Sequence, residues 1–465
     1  MKIARSSVVA TALLFLLLSS CRPYYLRQQT FLRLVSEERY AEAEAELSSS
    51  RRAKKKERHR LLYLLNRGYV AFQQGLYAES TQWFMKADRM VEEYRKQLGY
   101  EALSILVNPG VKPYKAEDFE VVMMHYFTTL AFLKQRNFES ALVECRRMNL
   151  SLQDMHFADS KKPRYKNDAF GHLLMGLSYE ASGDVNNAFI AYRNAVEVYR
   201  SDYSSFFGLN VPQQLKQDLI RTALRNGFND EARRWSDTLN TPLPDLKSSS
   251  PEAELVILWQ NGLGPVKEQW SIDFTIVQQG GQLFFNNAGL GLSFAFPVSS
   301  VSSSDLNNLQ ALRVFRVAFP RYVSRRPVFQ RAEASIGSFK TRVEPVQPID
   351  QIAFKSLEDR FAREMSNAIL RFAVKKATEY AIRKENKDAG ALVGIANAIT
   401  EQADTRNWQT LPYEIGYARV PLKVGENKVV FRAESAGRRA PFIDTLCIEA
   451  QKGRTYFEVM STIRP

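Results

Sequence analysis

The spacing of apolar residues changes once along the chain, near residue 240. From residue 24 to about 240, apolar positions recur every three or four residues, which is typical of helices with one buried face. Beyond residue 254, short runs alternate apolar and polar residues and are separated by turns rich in Gly and Asn, which is typical of strands. The sequence therefore predicts a helical half followed by a half that combines strands with helices.

Two segments of the helical half repeat one another when Gly68 is aligned with Gly176. In this alignment Gly75 coincides with Gly183, and the residues that follow share an aromatic and an alanine position. A small residue, a glycine, an aromatic and an alanine at these spacings form the tetratricopeptide pattern, in which paired helices approach closely. The remaining matched positions are Phe84 with Tyr192 and Ala87 with Ala195.

The repeats are unevenly spaced. A weaker third unit places Thr129 at the position of Gly68, and a partial unit contains Gly227. Thr129 follows Gly68 by 61 residues and Gly176 follows Thr129 by 47, whereas a regular tetratricopeptide repeat is about 34 residues long. We therefore predict an irregular tetratricopeptide-like helical domain over residues 22–240, with a groove that binds a peptide or a protein.

The second half begins after residues 241–253, a polar stretch rich in Pro and Ser that predicts a linker. The strand signals beyond it are short and closely spaced, so we predict a β-sandwich-like domain over residues 254–465. A helical insert at about residues 352–402 interrupts the strands, and its last part, 390–402, is too short to span a bilayer. The first helix of the insert has one apolar face, formed by Phe354, Leu357, Phe361, Met365, Ile369, Phe372 and Ala373.

The N-terminus has the features of a bacterial lipoprotein signal peptide. Residues 1–20 combine a short basic start with an apolar core, and the sequence LSSC at 18–21 matches a lipobox. Cleavage before Cys21 would leave a thiol that carries a diacylglycerol anchor. Because Arg22 rather than Asp follows the cysteine, we expect a lipid anchor on the periplasmic face of the outer membrane. An ordinary secretory signal or an uncleaved anchor is the alternative.

Composition agrees with a globular protein, since 45% of the residues are apolar and 25% are charged. The chain carries 64 Lys and Arg against 50 Asp and Glu, a formal net charge of +14. The basic run at residues 51–60 could contact anionic lipid headgroups or an anionic envelope polymer, or could be a solvated helix face. A signal peptide makes nucleic acid an unexpected partner for this charge.

Few residues in the sequence are arranged for catalysis or metal binding. It contains no GxSxG, HExxH, P-loop, CxxC or GxGxxG motif, and His125 and His172 fall at packing positions of the repeats. Cys145 and Cys447 lie in apolar patterns, which predicts two buried free thiols, although a disulfide between them stays open. We expect no cofactor and no metal. The acidic residues that could form a catalytic pair are Asp350, Glu358, Asp359 and Asp404.

Two polar motifs stand out in the second half. The first contains Asn261 and Gly262 followed by Pro-Val-Lys, which ends at Lys267, and the second reads ADTRNWQTLP over 403–412. Together with the lipobox and the helical repeats, these motifs resemble a family of uncharacterised bacterial envelope lipoproteins that share "NG..PVK" and "ADTRxWxTLP". The resemblance covers most of the chain. It implies the location and the architecture and supplies no established activity or site.

The second motif allows two interpretations. Asp404 and Arg406 could pair across a helix end, Thr405 could cap a turn, and Trp408 offers a large apolar ring with one N–H donor. We favour a structural corner between the insert and the next strand, with contact to a ligand or partner as the alternative. In the first motif, Lys267 could work with its neighbour Glu268 as acid and base, but no third group is seen to tune them.

The predicted fold class is therefore α followed by α+β. The predicted function is a non-enzymatic scaffold or adaptor in envelope or cell-wall assembly. Its partners would be other envelope proteins or peptides, bound through the helical groove. Two alternatives remain open at this stage: an enzyme that acts on the cell wall or a polysaccharide through paired carboxylates, and a component that assembles or secretes an envelope polymer.

Overall fold

The computed structural model describes residues 24–49, 57–96, 110, 112–156, 165–244, 251–297, 314–385, 402–437 and 439–463. Several predicted features lie outside the described residues. These are the signal peptide with Cys21, residues 51–56 of the basic run and residues 390–401 of the predicted second insert helix.

The N-terminal half is built from helices, most of which occur in pairs. Five pairs are joined by loops of three residues: α2–α3, α4–α5, α6–α7, α8–α9 and α11–α12. The helices are α1 (Tyr24–Arg27), α2 (Gln29–Ser36), α3 (Tyr40–Ser49), α4 (Glu57–Gln73), α5 (Tyr77–Lys96), α6 (Asp118–Lys134), α7 (Phe138–His156), α8 (Ala169–Ala181), α9 (Val185–Val198), α10 (Ser204–Phe207), α11 (Gln213–Arg225) and α12 (Asn229–Leu239).

All five loops use the same turn. The middle residue is left-handed each time, with φ of 60° at Glu38, 76° at Gly75, 58° at Arg136, 89° at Gly183 and 76° at Gly227. The second and third residues of each loop donate backbone hydrogen bonds to carbonyls in the last turn of the first helix, in the Schellman pattern. The common turn shows that the uneven units of the sequence are repeats of one structural element.

The close approach of the paired helices confirms the alignment of Gly68 with Gly176. A Cβ atom on Gly68 would lie 2.7 Å from the ring of Phe84, and one on Gly176 would overlap the ring of Tyr192. In the weaker third unit, Thr129 takes the glycine position and its hydroxyl lies 3.9 Å from the sulfur of a cysteine in the facing helix. Small side chains on both helices replace the glycine and aromatic pair in that unit.

The C-terminal half contains two sheets. Seven strands form a sheet in the order β10-β9-β6-β7-β8-β1-β11, and four form a sheet in the order β4-β3-β2-β5. β1 pairs with β11 in parallel and with β8 antiparallel. The strands are β1 (Ala253–Asn261), β2 (Val266–Gln279), β3 (Gln282–Asn287), β4 (Leu292–Pro297), β5 (Val314–Val323), β6 (Arg331–Ile336), β7 (Phe339–Gln347), β8 (Glu414–Leu422), β9 (Gly425–Glu434), β10 (Phe442–Ala450) and β11 (Thr455–Thr462).

A long helix, α13 (Ile349–Glu385), covers the four-stranded sheet. Met365 and Ile369 of this helix are fully buried against Phe274 and Phe285 of the sheet. The predicted apolar face of the insert therefore packs as expected over the part whose side chains are described. Because the helix and not the second sheet closes this core, a sandwich of two facing sheets is not confirmed.

The largest hydrophobic core is shared between the two halves of the chain. Val256 and Leu258 of β1, and Ile415 and Tyr417 of β8, belong to the same buried cluster as the helix pairs. The alternate residues of β1, such as Leu255, point to the opposite face of the seven-stranded sheet. There they pack with residues of other strands of the same sheet in a second core. β1 is thus buried on both faces, which explains its almost uninterrupted run of apolar residues.

The two cysteines among the described residues are free, but they differ in exposure. Cys145 is buried, and burial raises the pKa of its thiol to about 12. Cys447 is exposed, so the expectation of two buried thiols is wrong for it. The reason is strand periodicity: Ile448 of β10 faces the core, so its neighbour points outward. No helix within the described ranges is both long and apolar enough to cross a bilayer.

Candidate functional site

The candidate site is the junction between the helix pairs and the sheets. Here the first helix of four pairs, α4, α6, α8 and α11, contacts the C-terminal half. Thr410 donates to Asn66 of α4 at 3.2 Å, and Arg419 of β8 pairs with Glu180 of α8 at 3.0 Å and with Asp218 of α11 at 3.1 Å. Along these helices, the groove that we expected for a partner is filled by the protein's own sheet.

The start of α6 brings both sequence motifs to one place. Glu117 precedes the helix and forms a capping box, and its carboxylate pairs with Lys267 of β2 and with Arg360 of α13. Lys267 also lies 5.2 Å from the ring centroid of Tyr322. Burial alone would raise the pKa of Glu117, but Arg360 and Lys267 together lower it to about 2. One carboxylate thus joins a helix pair, a strand and the long helix.

Glu120, one turn further along α6, joins the second motif to this cluster. Its carboxylate accepts a hydrogen bond from the Trp408 backbone N–H at 2.7 Å and another from the Glu117 backbone N–H at 2.9 Å. The Tyr114 hydroxyl donates to the same group. Burial raises the pKa of Glu120 to about 7, and the negative charge of Glu117 adds to the rise.

Arg406 of the second motif is the most heavily bonded side chain at this end of the junction. It pairs with Asp404 at 2.6 Å, while the helix end that this pair was expected to bridge lies outside the described residues. It also donates to the backbone carbonyls of Arg58 at 2.5 Å and Lys112 at 3.0 Å, and lies 5.5 Å from the ring centroid of Tyr114. The guanidinium therefore fastens the motif to two separate segments of the helical half.

Trp408 lies inside the helical half. It is 1% exposed, and its ring centroid lies 5.9 Å from that of Phe84 and 5.8 Å from that of Phe127. Its indole N–H has no hydrogen-bond partner among the described residues. Thr405 accepts a hydrogen bond from the Tyr24 backbone N–H at 3.3 Å, a contact across the junction rather than the local turn cap that we expected. Thr405 and Trp408 of the second motif therefore contact residues of the helical half of this protein.

The first motif forms a corner at the edge of the same region. Asn261 donates to the Phe329 carbonyl at 2.8 Å and to the Glu414 carboxylate at 2.9 Å. Gly262 is left-handed, with φ of 61°, and a Cβ atom there would lie 2.7 Å from Pro327. Backbone conformation and space both require glycine at this corner.

A second buried ion cluster, centred on Arg419, was missed by sequence reasoning. Arg419 pairs with Glu254 at 2.5 Å in addition to its two helical partners, and the Tyr417 hydroxyl donates to Asp218 at 2.6 Å. Glu180 also pairs with Arg221, and these cations hold its pKa well below its usual range despite burial. The available signal was an arginine in the apolar strand sequence YARVPL.

Three of the four predicted acidic candidates contact other side chains of the protein. Asp404 is engaged with Arg406, Glu358 pairs with Lys355 at 3.0 Å, and Asp350 accepts from a serine hydroxyl at 3.0 Å. Within the described ranges, no group of three or more His, Cys, Asp or Glu side chains is placed to hold a metal ion.

The predicted acid and base pair of the first motif is also separated. Glu268 lies 3.6 Å from Arg321, whereas Lys267 pairs with Glu117. The close carboxylates in this region are Glu117 and Glu120, whose pKa values are displaced in opposite directions, as in many acid and base pairs. Both are buried, 7% and 0% exposed, and their oxygens are bonded to the protein's own donors. Their arrangement is that of a structural ion network.

Two charged grooves open on the surface away from the buried clusters. The helix groove, of about 520 Å³, lies between α4 and α5, and the sheet groove, of about 510 Å³, lies across β6, β7 and β9. The helix groove is lined by Glu57, Arg60, Leu64, Lys86, Arg89, Met90, Glu93 and Tyr94. The sheet groove is lined by Arg331, Ala332, Glu333, Lys340, Thr341, Arg342, Arg432 and Glu434.

Comparison with known proteins gives structural similarity only. No protein-family model and no curated protein matches the chain. It is similar to MamA from Desulfovibrio magneticus RS-1, with 16% identity over 46% of this chain and 92% of that one and a TM-score of 0.30.

Two further solved structures give values in the same range. A putative kinesin light chain of Podosopora anserina with TPR-like repeats is 15% identical over 46% of this chain and 93% of that one, with a TM-score of 0.31. BtubC from P. vanneervenii is 16% identical over 48% and 81%, with a TM-score of 0.28. At these values, neither a function nor a partner follows from the likeness.

Proposed function

We propose that the protein is a non-enzymatic scaffold that binds other envelope proteins and is anchored through Cys21 to the periplasmic face of a bacterial outer membrane. The observation that supports it is the row of five helix pairs with one common turn, an arrangement that builds extended protein-binding surfaces. Because the sheet covers the first helices, the partner binds the outer faces of the second helices.

Those outer faces carry large apolar side chains in water. Val143 and Leu150 of α7 are 45% and 55% exposed, Met85 of α5 is 47% exposed, and Ile190 of α9 is 37% exposed. Val143 and Leu150 are seven residues apart, so they lie on the same face of their helix. An apolar face rimmed by charged residues is the surface that a second protein can cover.

The buried ion networks support the non-enzymatic part of the proposal. Glu117, Glu120 and Glu180 are buried carboxylates with displaced pKa values, and all three bond to groups of the protein itself. Each of them connects the helical half to the sheets, so their charge and hydrogen bonding serve assembly of the two halves.

The partner-binding surface can be tested with the double variant Val143→Lys, Leu150→Lys. In a periplasmic crosslinking pull-down, we expect this variant to lose the proteins that the wild type captures, because two charges replace the apolar face. The matched control is Val277→Lys, Ile443→Lys, which changes two apolar residues of the sheets that are 46% and 54% exposed. Both variants should unfold near the wild-type temperature, since the four positions are on the surface. If the first variant keeps its partners and the control loses them, the binding surface lies on the sheets.

The anchoring part of the proposal has a separate test. Cys21→Ser removes the thiol that would carry the lipid, so the protein should move from the membrane fraction to the soluble periplasmic fraction. If the variant stays with membranes after high-salt washing, the lipoprotein assignment is wrong.

A further inference from the structure

Tyr24, where the described chain begins, is fixed to the body of the protein. Its ring stacks on that of His59 with centroids 6.1 Å apart, and its backbone N–H donates to Thr405 at 3.3 Å. Tyr24 follows Cys21 by three residues, and three residues span at most about 11 Å. In the lipid-anchored protein of the proposed function, on which this inference rests, the surface around Tyr24 therefore lies against the membrane.

This surface is basic. Arg27 and Arg58 lie near His59, and together with Arg406 they lower the pKa of its imidazole, already depressed by burial, to about 4. The segment that carries Lys112 runs beside the start of α4, because Arg406 bonds to the carbonyls of both Arg58 and Lys112. Among the groups that face Tyr24, the imidazole is neutral at pH 7. The carboxylates of Glu120 and Asp404 also lie near Tyr24, and Asp404 pairs with the buried Arg406. The positive charge of this surface therefore comes from Arg27, Arg58 and Lys112.

The helix groove extends this basic surface along α4 and α5. Arg60 stands two residues beyond Arg58, and Lys86 and Arg89 line the opposite wall. Arg60, Lys86 and Arg89 are exposed, and the ammonium group of Lys86 lies 4.4 Å from the ring centroid of Trp83. The groove also contains Glu57 and Glu93, so its lining has one more positive charge than negative.

We propose that the helix groove and the adjoining start of α4 dock on the anionic phospholipid headgroups of the membrane that holds the lipid anchor. The position of Tyr24 brings this surface to the membrane, and its cations match the phosphates there. Each exposed cation close to an anionic surface adds to the binding, and salt weakens it. The contact would fix the orientation of the protein, so that α7 and α9 stay free for a partner.

The test uses the chain from Arg22 onward, which contains every described residue and has no lipid anchor. Its partition to vesicles of 30% phosphatidylglycerol and 70% phosphatidylethanolamine is measured by co-sedimentation, with phosphatidylcholine vesicles in parallel. The triple variant Arg60→Gln, Lys86→Gln, Arg89→Gln should bind the anionic vesicles on the order of 100-fold more weakly than the wild type. Arg331→Gln, Lys340→Gln, Arg342→Gln is the matched control, because it removes the same three residue types from the sheet groove.

We expect the protein to bind the anionic vesicles and not the phosphatidylcholine vesicles, and to lose this binding in 0.5 M salt. The helix-groove variant should bind more weakly than the wild type, whereas the control variant should bind as the wild type does. Equal losses in both variants would mean that net charge and not this face drives the contact, and the inference would be wrong. It would also be overturned if vesicles do not bind while soluble polyphosphate does, which would make the groove a site for an anionic polymer. Release of Cys21→Ser from membranes tests the anchor alone, so the two failures can be told apart.

Discussion

At the scale of single residues, the junction depends on a few buried charged groups that reach across it. Lys267, Arg406 and Arg419 come from the C-terminal half, and each pairs with a carboxylate while buried to at least nine-tenths. Lys267 and Arg406 were singled out in the sequence as members of the two polar motifs, whereas Arg419 was not. Their partners Glu117 and Glu180 could not be predicted, since they lie more than 100 residues away along the chain.

Glu120 should make the stability of the protein depend on pH. Its pKa is raised from 4.5 to about 7 in the folded protein, so its favourable contribution is complete below pH 4.5 and is lost as the pH rises through 7. A shift of this size corresponds to roughly 3 kcal/mol. The measurement is the free energy of unfolding in urea at pH 5 and at pH 8. We expect it to fall between the two pH values in the wild type, and Glu120→Gln should lack this fall.

The difference between the wild type and Glu120→Gln reports on Glu120 alone. Other groups that titrate between pH 5 and pH 8 are present in both proteins, so their effects on stability cancel. Asp350 has a pKa raised to about 6 and His59 a pKa lowered to about 4, and their effects on stability have opposite signs. Glu139→Gln, which changes an exposed glutamate on α7, is the control. The interpretation fails if Glu120→Gln and the wild type lose the same stability between the two pH values.

At the scale of elements, the repeating unit is a helix pair closed by a left-handed residue. The sequence reveals this unit where the residue is Gly75, Gly183 or Gly227, because glycine marks such turns. The signal is weaker where Glu38 or Arg136 takes the same conformation, since neither residue type is a turn signal. The sequence predicted that this half contains strands, but it did not predict which strands pair or which sheet the long helix packs against. Both depend on contacts between segments that are far apart along the chain.

The turns should respond differently to substitution. Gly183 has φ of 89° and no atom within 4 Å of an added Cβ, so Gly183→Ala should cost about 1–2 kcal/mol from backbone strain alone. Arg136 already bears this strain at φ of 58°. Arg136→Gly should change stability by less than about 0.5 kcal/mol, because relief of strain offsets the greater freedom of glycine in the unfolded chain. Urea unfolding measures both, and a large loss in Arg136→Gly would show that the two turns are not equivalent.

At the scale of the whole molecule, the helix pairs and the sheets form one body. The shared core and the two ion clusters join them. The predicted linker at 241–253 therefore separates two kinds of structure without separating two independent cores. The sequence could not show this, because each half has its own periodicity and its own apolar residues.

Cutting the chain between the halves should leave them associated. With a specific protease site inserted at residues 245–250, the two fragments should elute together in gel filtration after cleavage and separate only in denaturant. Arg419→Ala should weaken this association, because it removes a buried cation that pairs with Glu180, Asp218 and Glu254. Glu180 and Asp218 keep Arg221 as a partner, so we expect a cost of about 3 kcal/mol, at the lower end for a broken buried pair. Arg316→Ala is the control, since its ion pair with Asp273 is exposed and screened by solvent. Fragments that separate in native buffer would contradict the shared core.

The parallel pairing of β1 with β11 has a consequence for how the protein is made. Glu254 lies beside Thr455 and Asn261 beside Thr462, so a strand near the middle of the chain waits for one synthesised about 200 residues later. Until β8 and β11 arrive, β1 and α6, which is buried on nearly every side in the finished protein, present apolar surface to water. A chain that is synthesised from its N-terminus therefore cannot finish folding stepwise. It has to be held by a chaperone, or fold late and all at once, after its final strand has been made.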